Sequence, residues 1–498
     1  MFSRRRGALA AAASAIAIAG GLSAPAAAET LADAIALAYD SNPTLQAQRA
    51  TQRALDETVV QARAGYRPTL SVTALRQDSE TDIPGVAVTT RSNLARATLS
   101  VSQPIWTGGR VASAVSAAEA DVLAGRENLR RIEAQVLANV ITAYVDVRAN
   151  QQAVAIREEN VKVLARQLEE SNARFEVGEI TRTDVAQSEA RLAAAQAQLR
   201  SAQAQLAISR AGYAAVVGQN PGELAPEPGL ESLLPGDVDV AFDVAEQNNP
   251  QIRAAEYAAQ ASKARVSAAR AERMPTLSVA GTLQFQGEAE PYSAGNFPRS
   301  VVGQATVSVP LFSGGVTSSR IRAQVERNNA DRIGVETARR SVLQSVTQSW
   351  NQLLAARANI GSSQQQVKAA MIAAEGTRQE QQVGLRTTID VLNAEQELRS
   401  AQLSQVTAVR DAYVASAGVL AAMGRLEAAS LTPTAAKYDP ATHFRSLKMA
   451  PGWVPWEVPL GVVDGAWTPK TSELPREATK TLDAPAAAGP AAETSPKP

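Results

Sequence analysis

Hydrophobic and polar positions change period along the chain, and they do so twice in the same order. Leu277, Val279, Gly281, Leu283 and Phe285 alternate with Thr276, Ser278, Thr282, Gln284 and Gln286. After a loop rich in Gly and Pro, Val301, Gly303, Ala305, Val307 and Val309 alternate with Ser300, Gln304, Thr306 and Ser308. An earlier segment matches, with Ala95, Ala97, Leu99 and Val101 set against Arg96, Thr98, Ser100 and Ser102. A period of two predicts strands of about ten residues, the length a tilted strand needs to cross a bilayer. Alternation alone fits a half-buried soluble hairpin equally well.

Ahead of each strand pair the pattern is helical, from about Leu31 to Ala64 and from about Val240 to Arg273, stopping short of Pro68 and Pro275. Behind each pair lies a long stretch without proline, from Pro104 to Pro221 and from Pro310 to Pro433, dominated by Ala, Gln, Glu, Arg, Leu and Val. That is helix-forming composition. Arg110 to Val177 is 68 residues, which as one unbroken helix would be about 100 Å long at 1.5 Å per residue. Apolar side chains recur at Val136, Val140 and Tyr144, and at Val342, Val346 and Trp350, with Leu137 and Leu343 beside them. Such a stripe among many alanines suits close helix pairing in a coiled coil, and packing is the role it predicts.

The landmarks recur in order. Asn42-Pro43 is matched by Asn249-Pro250, and the run from Pro68 to Val72 by Pro275 to Val279, each 207 positions later. At an offset of 206, Pro104 matches Pro310, Gly108-Gly109 matches Gly314-Gly315, Tyr144 matches Trp350, Gly178 matches Gly384, Asp184 matches Asp390 and Gly218 matches Gly424. This collinearity predicts a tandem duplication. The expected units are 29–226 and 227–426, each a helix, two membrane strands and a long helical hairpin, followed by a tail at 427–478 and a disordered end at 479–498.

Each long helix is expected to stop at a glycine, in Val177-Gly178-Glu179-Ile180-Thr181-Arg182-Thr183-Asp184 and Val383-Gly384-Leu385-Arg386-Thr387-Thr388-Ile389-Asp390. Glycine supplies the left-handed C-terminal conformation, and Thr181-x-x-Asp184 and Thr387-x-x-Asp390 fit capping boxes that restart the chain as a second helix. The two aspartates read first as helix caps, and symmetry could also set them in an acidic ring at a pore mouth. The two roles are compatible.

Composition narrows the function. The chain of 498 residues has 49 basic and 49 acidic side chains, no cysteine and one histidine, His443. Zero net charge gives no general attraction to nucleic acid. Without cysteine there is no thiolate nucleophile, disulfide or iron–sulfur cluster, and a lone histidine makes neither a triad nor a metal centre. No phosphate loop is present either, because no GK[ST] follows the Gly-Gly pairs. Neither enzyme activity, a cofactor nor a metal is expected. Residues 1–28 read as a signal peptide, with Arg4 to Arg6 basic, Ala8 to Leu22 apolar and Ala26-Ala27-Ala28 small before Glu29. No other stretch reaches 18 consecutive apolar residues, so a membrane would have to be crossed by strands.

Four strands cannot close a barrel, and an open edge in lipid leaves N–H and C=O groups unpaired at several kcal/mol each. Two copies would give eight strands with a filled interior; three give twelve and leave a lumen. Glu29-Thr30-Leu31, Ser41-Asn42-Pro43, Pro68-Thr69-Leu70, Gln103-Pro104-Ile105-Trp106-x-Gly108-Gly109, Val309-Pro310-Leu311-Phe312-x-Gly314-Gly315 and the two Val-Gly-x5-Asp-Val tips resemble the TolC family of outer-membrane export ducts over about residues 29–426. The resemblance implies a mainly α fold with membrane β: a homotrimer whose twelve-stranded barrel, embedded in outer-membrane lipid, continues as a twelve-helix periplasmic α-barrel. It implies a passive duct for type I protein secretion, multidrug efflux or both. Its partners would be a periplasmic adaptor and an inner-membrane transporter, ABC-type or proton-driven. The adaptor would meet the tips at Val177, Gly178, Val383 and Gly384.

Members of that family close the periplasmic entrance by bonds between hairpins. Carried over, Arg386 would pair with Thr183 and its neighbourhood, Asp184 would accept a bond from the facing hairpin, and Asp390 would line the narrowest ring. Two positions depart: a tyrosine of some members is Gln381 here, and a second acidic position is Asn393, which implies a weaker and less cation-selective gate. Trp106 and Phe312, near the strand-to-helix junctions, are candidates for the membrane interface. The tail from Leu431 holds 11 of the 25 prolines together with Trp453, Trp456 and Trp467. It is expected to form no long helix and to pack outside the barrel. A trimeric coiled-coil adhesin or cell-envelope scaffold is the competing reading, although it would not require paired lipid-facing strands.

Overall fold

The computed structural model describes residues 28–82, 84–85, 89–288, 297–432, 438–447, 452–466 and 468. The leader at 1–27, Trp467 and the end at 479–498 lie outside the described residues.

The first predicted helix is two helices, Leu31–Ser41 (α1) and Pro43–Arg63 (α2). Asn42 sits between them in extended backbone, as a residue before proline prefers, and its side-chain oxygen accepts from the N–H groups of Thr44 and Leu45. Its amide nitrogen donates to the Val216 carbonyl at 2.9 Å. The device recurs later in the chain: Val238–Asn248 (α5) and Pro250–Ala271 (α6) are split at Asn249, which donates to the Ala422 carbonyl at 2.7 Å. Each Asn-Pro break thus lies beside one of the glycines matched in the sequence, the first beside Gly218 and the second beside Gly424. Gly424, at φ +71°, lies against the second break so closely that a Cβ there would come within 2.7 Å of the Asn248 carbonyl oxygen.

Between these helices run the strands Thr69–Asp82 (β1), Thr89–Trp106 (β2), Thr276–Glu288 (β3) and Arg299–Ser308 (β4). They form one antiparallel sheet in the order β1-β2-β3-β4. Three are longer than the expected ten residues, because pairing of β1 with β2 runs past the apolar band to Asp82 opposite Thr89, with Arg91 and Glu80 bridged at 3.1 Å. Register decides what each face carries. Val72, Leu99, Leu283 and Val301 stand in one row across all four strands, and Ala74, Ala97, Phe285 and Arg299 stand in another. Thr73, Thr98, Gln284 and Ser300 stand in the row between, on the opposite face, where Arg96 also donates to Gln286 at 2.9 Å. One face is apolar along its middle, with Arg76 and Arg299 toward one end and Gln103 toward the other, and the opposite face is largely hydroxyl and amide. The outer edges of β1 and β4 pair with no strand among the described residues.

The long helices are unbroken. Arg110–Glu176 (α3) and Val316–Gln382 (α7) each have 67 residues, about 100 Å, and return as Arg182–Val217 (α4) and Thr388–Ala422 (α8). The main core lies around the middle of α3, where Val136, Val140 and Tyr144 are buried with Leu31, Ile35, Tyr213 and Leu420. A second cluster buries Val342 and Val346, with Trp350 packed beside them. The Tyr144 hydroxyl lies 2.6 Å from the Ala225 carbonyl oxygen, so the stripe satisfies its own polar atom.

The tail forms Ala428–Leu431 (α9), Ala441–Ser446 (α10) and Glu457–Ala466 (α11), all short, as its prolines require. It packs on the first half of the chain, α10 against α2 and α11 against α3 and β2. The Arg49 guanidinium stacks between the Tyr39 and Tyr438 rings at 4.5 and 4.6 Å from their centroids. His443 Nδ1 lies 3.2 Å from the buried Asp56 carboxylate, so the single histidine fastens the tail.

Candidate gate at the hairpin tips

Both tips are built alike. α3 ends as Gly178, at φ +76°, donates to the Phe175 carbonyl at 2.9 Å, and α7 ends as Gly384, at φ +79°, donates to Gln381 at 3.0 Å. Thr181 and Asp184 exchange bonds in a full capping box, with the Thr181 N–H and hydroxyl donating to the carboxylate at 3.0 and 2.8 Å. Thr387 and Asp390 do the same at 3.0 and 2.6 Å. The left-handed glycines lift Val177 and Val383 into solvent, together with Leu385. Leu385 stands where the first tip has Glu179, so the second tip is the more apolar.

The second tip carries an extra brace. Arg386 Nε donates to Glu380 at 2.8 Å, an ion pair that the first tip, with Ile180 and Arg174 at those places, cannot make. The bonds from Thr387, with Arg386 nearby, hold the Asp390 carboxyl below its ordinary value, so this acid is charged at any physiological pH. Thr183 is exposed on the first tip. In the single chain Arg386 is bonded to its own hairpin rather than to Thr183, and the Asp184 carboxylate serves its own Thr181. Gln381 is buried, its amide donating to the Thr388 hydroxyl at 3.4 Å within the second hairpin. Trp106 is half-buried at the end of β2 opposite Leu277, whereas Phe312 is 90 % exposed between β4 and α7.

Two features escaped sequence reasoning. Arg191 on α4 reaches the second hairpin, where its Nη2 donates to the Asn393 side-chain oxygen at 2.9 Å and its Nη1 donates to Gln396. Asn393 is therefore an acceptor for the first hairpin. Leu164, Ala195 and Leu392 form a small buried cluster next to this bridge. Below it Glu395, almost fully buried, is held by Arg378 from α7 and by Arg399 at 3.3 Å, which ties α7 to α8. Arg399 lies four residues after Glu395 and could have been found by helical spacing. Nothing local in the sequence marks Arg191, whose partners are about 200 positions away.

A family model described as outer membrane efflux protein matches residues 34–219 and 241–425. The outer membrane efflux protein BepC of Brucella suis is 34 % identical over 420 residues, covering 84 % of this chain and 91 % of that one. The alkaline protease secretion protein AprF of Pseudomonas aeruginosa is 27 % identical, covering 82 % and 87 %. Among solved structures, the outer membrane protein VceC of Vibrio cholerae superposes with a TM-score of 0.67 at 21 % identity, over 79 % of this chain and 96 % of that one. These matches support the duct reading over an adhesin or scaffold.

Proposed function

The chain belongs to the outer membrane efflux protein family, and from that premise we propose that three copies pool their sheets into a twelve-stranded barrel continued by twelve long helices. It is an outer-membrane channel of an export system, a passive duct without chemistry of its own. The observation that carries the trimer is the row Val72, Leu99, Leu283, Val301: a sheet with an apolar band across one face, and with both outer edges unpaired among the described residues, needs neighbours before lipid can accept it. The hydroxyl and amide row on the other face suits a wet interior.

In this reading the mature protein is two copies of one unit, at 29–226 and 227–426, with the tail 427–478 outside the barrel and the segment 479–498 at its end. The repeated element order and the two family-model matches support it. The tips form the gate. Thr183 and Asp184 on the first hairpin and Arg386, Asp390 and Asn393 on the second line it, Gln381 packs behind them inside its own hairpin, Asp390 supplies the acidic ring, and the Arg191 bridge adds closure that the substitutions at 381 and 393 would otherwise lose. Val177, Gly178, Val383 and Gly384 present a capped, apolar tip to a periplasmic adaptor, and an inner-membrane transporter supplies energy and selects cargo. Efflux, as in the name of BepC, and protein secretion, as in the name of AprF, are the two services such a duct gives. Trp106 and Phe312 mark the junction nearest the membrane surface.

The experiment is direct. Purified mature protein should have the mass of three chains in detergent and should carry ions through a planar bilayer. A monomer, or a trimer that leaves the film silent, overturns the proposal.

A further inference from the structure

We propose that α11 is an interfacial anchor whose outward face lies on the phospholipid of the periplasm-facing leaflet, beside the barrel wall. The helix is inside out. Its two buried residues are the acids Glu457 and Asp464, while Val458, Val462 and Val463 are exposed, Val462 by 68 %, and Trp453 and Trp456 are exposed just before it. A helix facing water has the opposite arrangement.

The acids are fully employed on the protein side. Glu457 accepts from Arg67 Nε at 2.9 Å. Asp464 accepts from the N–H groups of Thr107 and Gly109 at 2.8 and 2.9 Å, from the Thr107 hydroxyl at 2.8 Å and from the Tyr66 hydroxyl at 3.1 Å. These bonds fix which face of α11 turns outward, and the exposed positions on that face, Val458, Pro459, Val462, Val463, Gly465 and Ala466, carry no charge.

Position selects lipid as the occupant. The Trp456 indole N–H donates to Gln103 at 3.2 Å. Gln103 stands opposite Val279, one step beyond Val101 on the apolar face of the sheet. α11 thus begins where the lipid-facing band ends, and an indole whose N–H is bonded at that border is the arrangement favoured at a bilayer surface. Its strand contact is β2, which is paired on both sides, so the adjoining surface is continuous wall and not an edge where another copy would join. With its charges satisfied internally, the helix offers lipid only apolar atoms.

The inference rests on the barrel reading, and its test separates the two. Because the chain has no cysteine, Val462→Cys, Val301→Cys and Val240→Cys can each carry a thiol-reactive nitrobenzoxadiazole label in vesicles of phosphatidylethanolamine and phosphatidylglycerol. Val301 reports the strand face. Val240, on α5, is separated from the sheet by the 22 residues of α6, about 33 Å. When the acyl chains are brominated, the labels at 301 and 462 should each lose at least half their emission and the label at 240 should lose none. Quenching at 301 without quenching at 462 overturns the anchor and leaves the barrel. No quenching at either overturns both. A label at 462 that is shielded from aqueous iodide yet untouched by brominated lipid means that protein covers the helix, and this also overturns the proposal.

Discussion

Replacing Arg191 by alanine should loosen the closed duct far more than a single surface arginine ordinarily would. Its guanidinium makes two hydrogen bonds from α4 to Asn393 and Gln396 on α8. The acceptors are neutral and exposed, so each bond is worth about 0.5–1 kcal/mol, below the usual range for a charged donor. That is about 1–2 kcal/mol per subunit. If the proposed three-copy gate opens with all three bridges broken, the closed state loses about 3–6 kcal/mol, a shift of roughly 10² to 10⁴ in the closed-to-open ratio. The shift is smaller, about 5- to 30-fold, if the hairpins move independently. Single-channel recording in planar bilayers measures it as open probability. Arg191→Lys, which cannot present a fork, should fall between wild type and alanine. An open probability within twofold of wild type for Arg191→Ala, or full additivity with Asn393→Ala, would refute the bridge as a gate element.

Asp464→Ala strands two buried N–H groups, at about 1–3 kcal/mol each, which is enough to release α11. Hydrogen exchange across 457–466 should become unprotected, and unchanged protection would contradict the cap. Asp390→Asn should weaken block of the channel by divalent cations. Because its carboxyl titrates below the ordinary 3.8, block in the wild type should persist at pH 5 and fade only below that value. The same sign governs the cap: its stabilisation is complete above the ordinary value and is lost as pH falls through the lower, folded one. Gly424→Ala forces a side chain into left-handed backbone against Asn248 and should cost about 2–4 kcal/mol in urea unfolding. Gly222→Ala, where a Cβ meets nothing within 4 Å, should cost little.

The elements most legible in the sequence are those whose period and length are extreme. The strand alternation at 277–285 and 301–309 and the proline-free spans of α3 and α7 leave few other conformations, and the tip glycines announce where those helices stop. The split at Asn42 and Asn249 was written in the same landmarks that revealed the repeat, yet a continuous apolar pattern masked it, because capping and not hydrophobicity ends α1. Strand lengths were underestimated because Gln77 to Asp82 pair through backbone bonds, with no apolar signal. Arg191 was invisible for a different reason: its acceptors are brought near by folding and carry no local spacing. Asp464 sits in a proline-rich tail where composition argued for irregular chain, while Pro459 falls in the first turn of α11, where proline is tolerated.

The strand order also fixes how a ring would be finished. β2 and β3 join the two hairpins inside one polypeptide, so only the β1 and β4 borders remain for annealing between molecules. β4 has ten residues against fourteen in β1, and the shorter partner limits each seam. Assembly would close by the same ten-residue zipper at three places, making that seam both the last backbone pairing to form and the first to part under load.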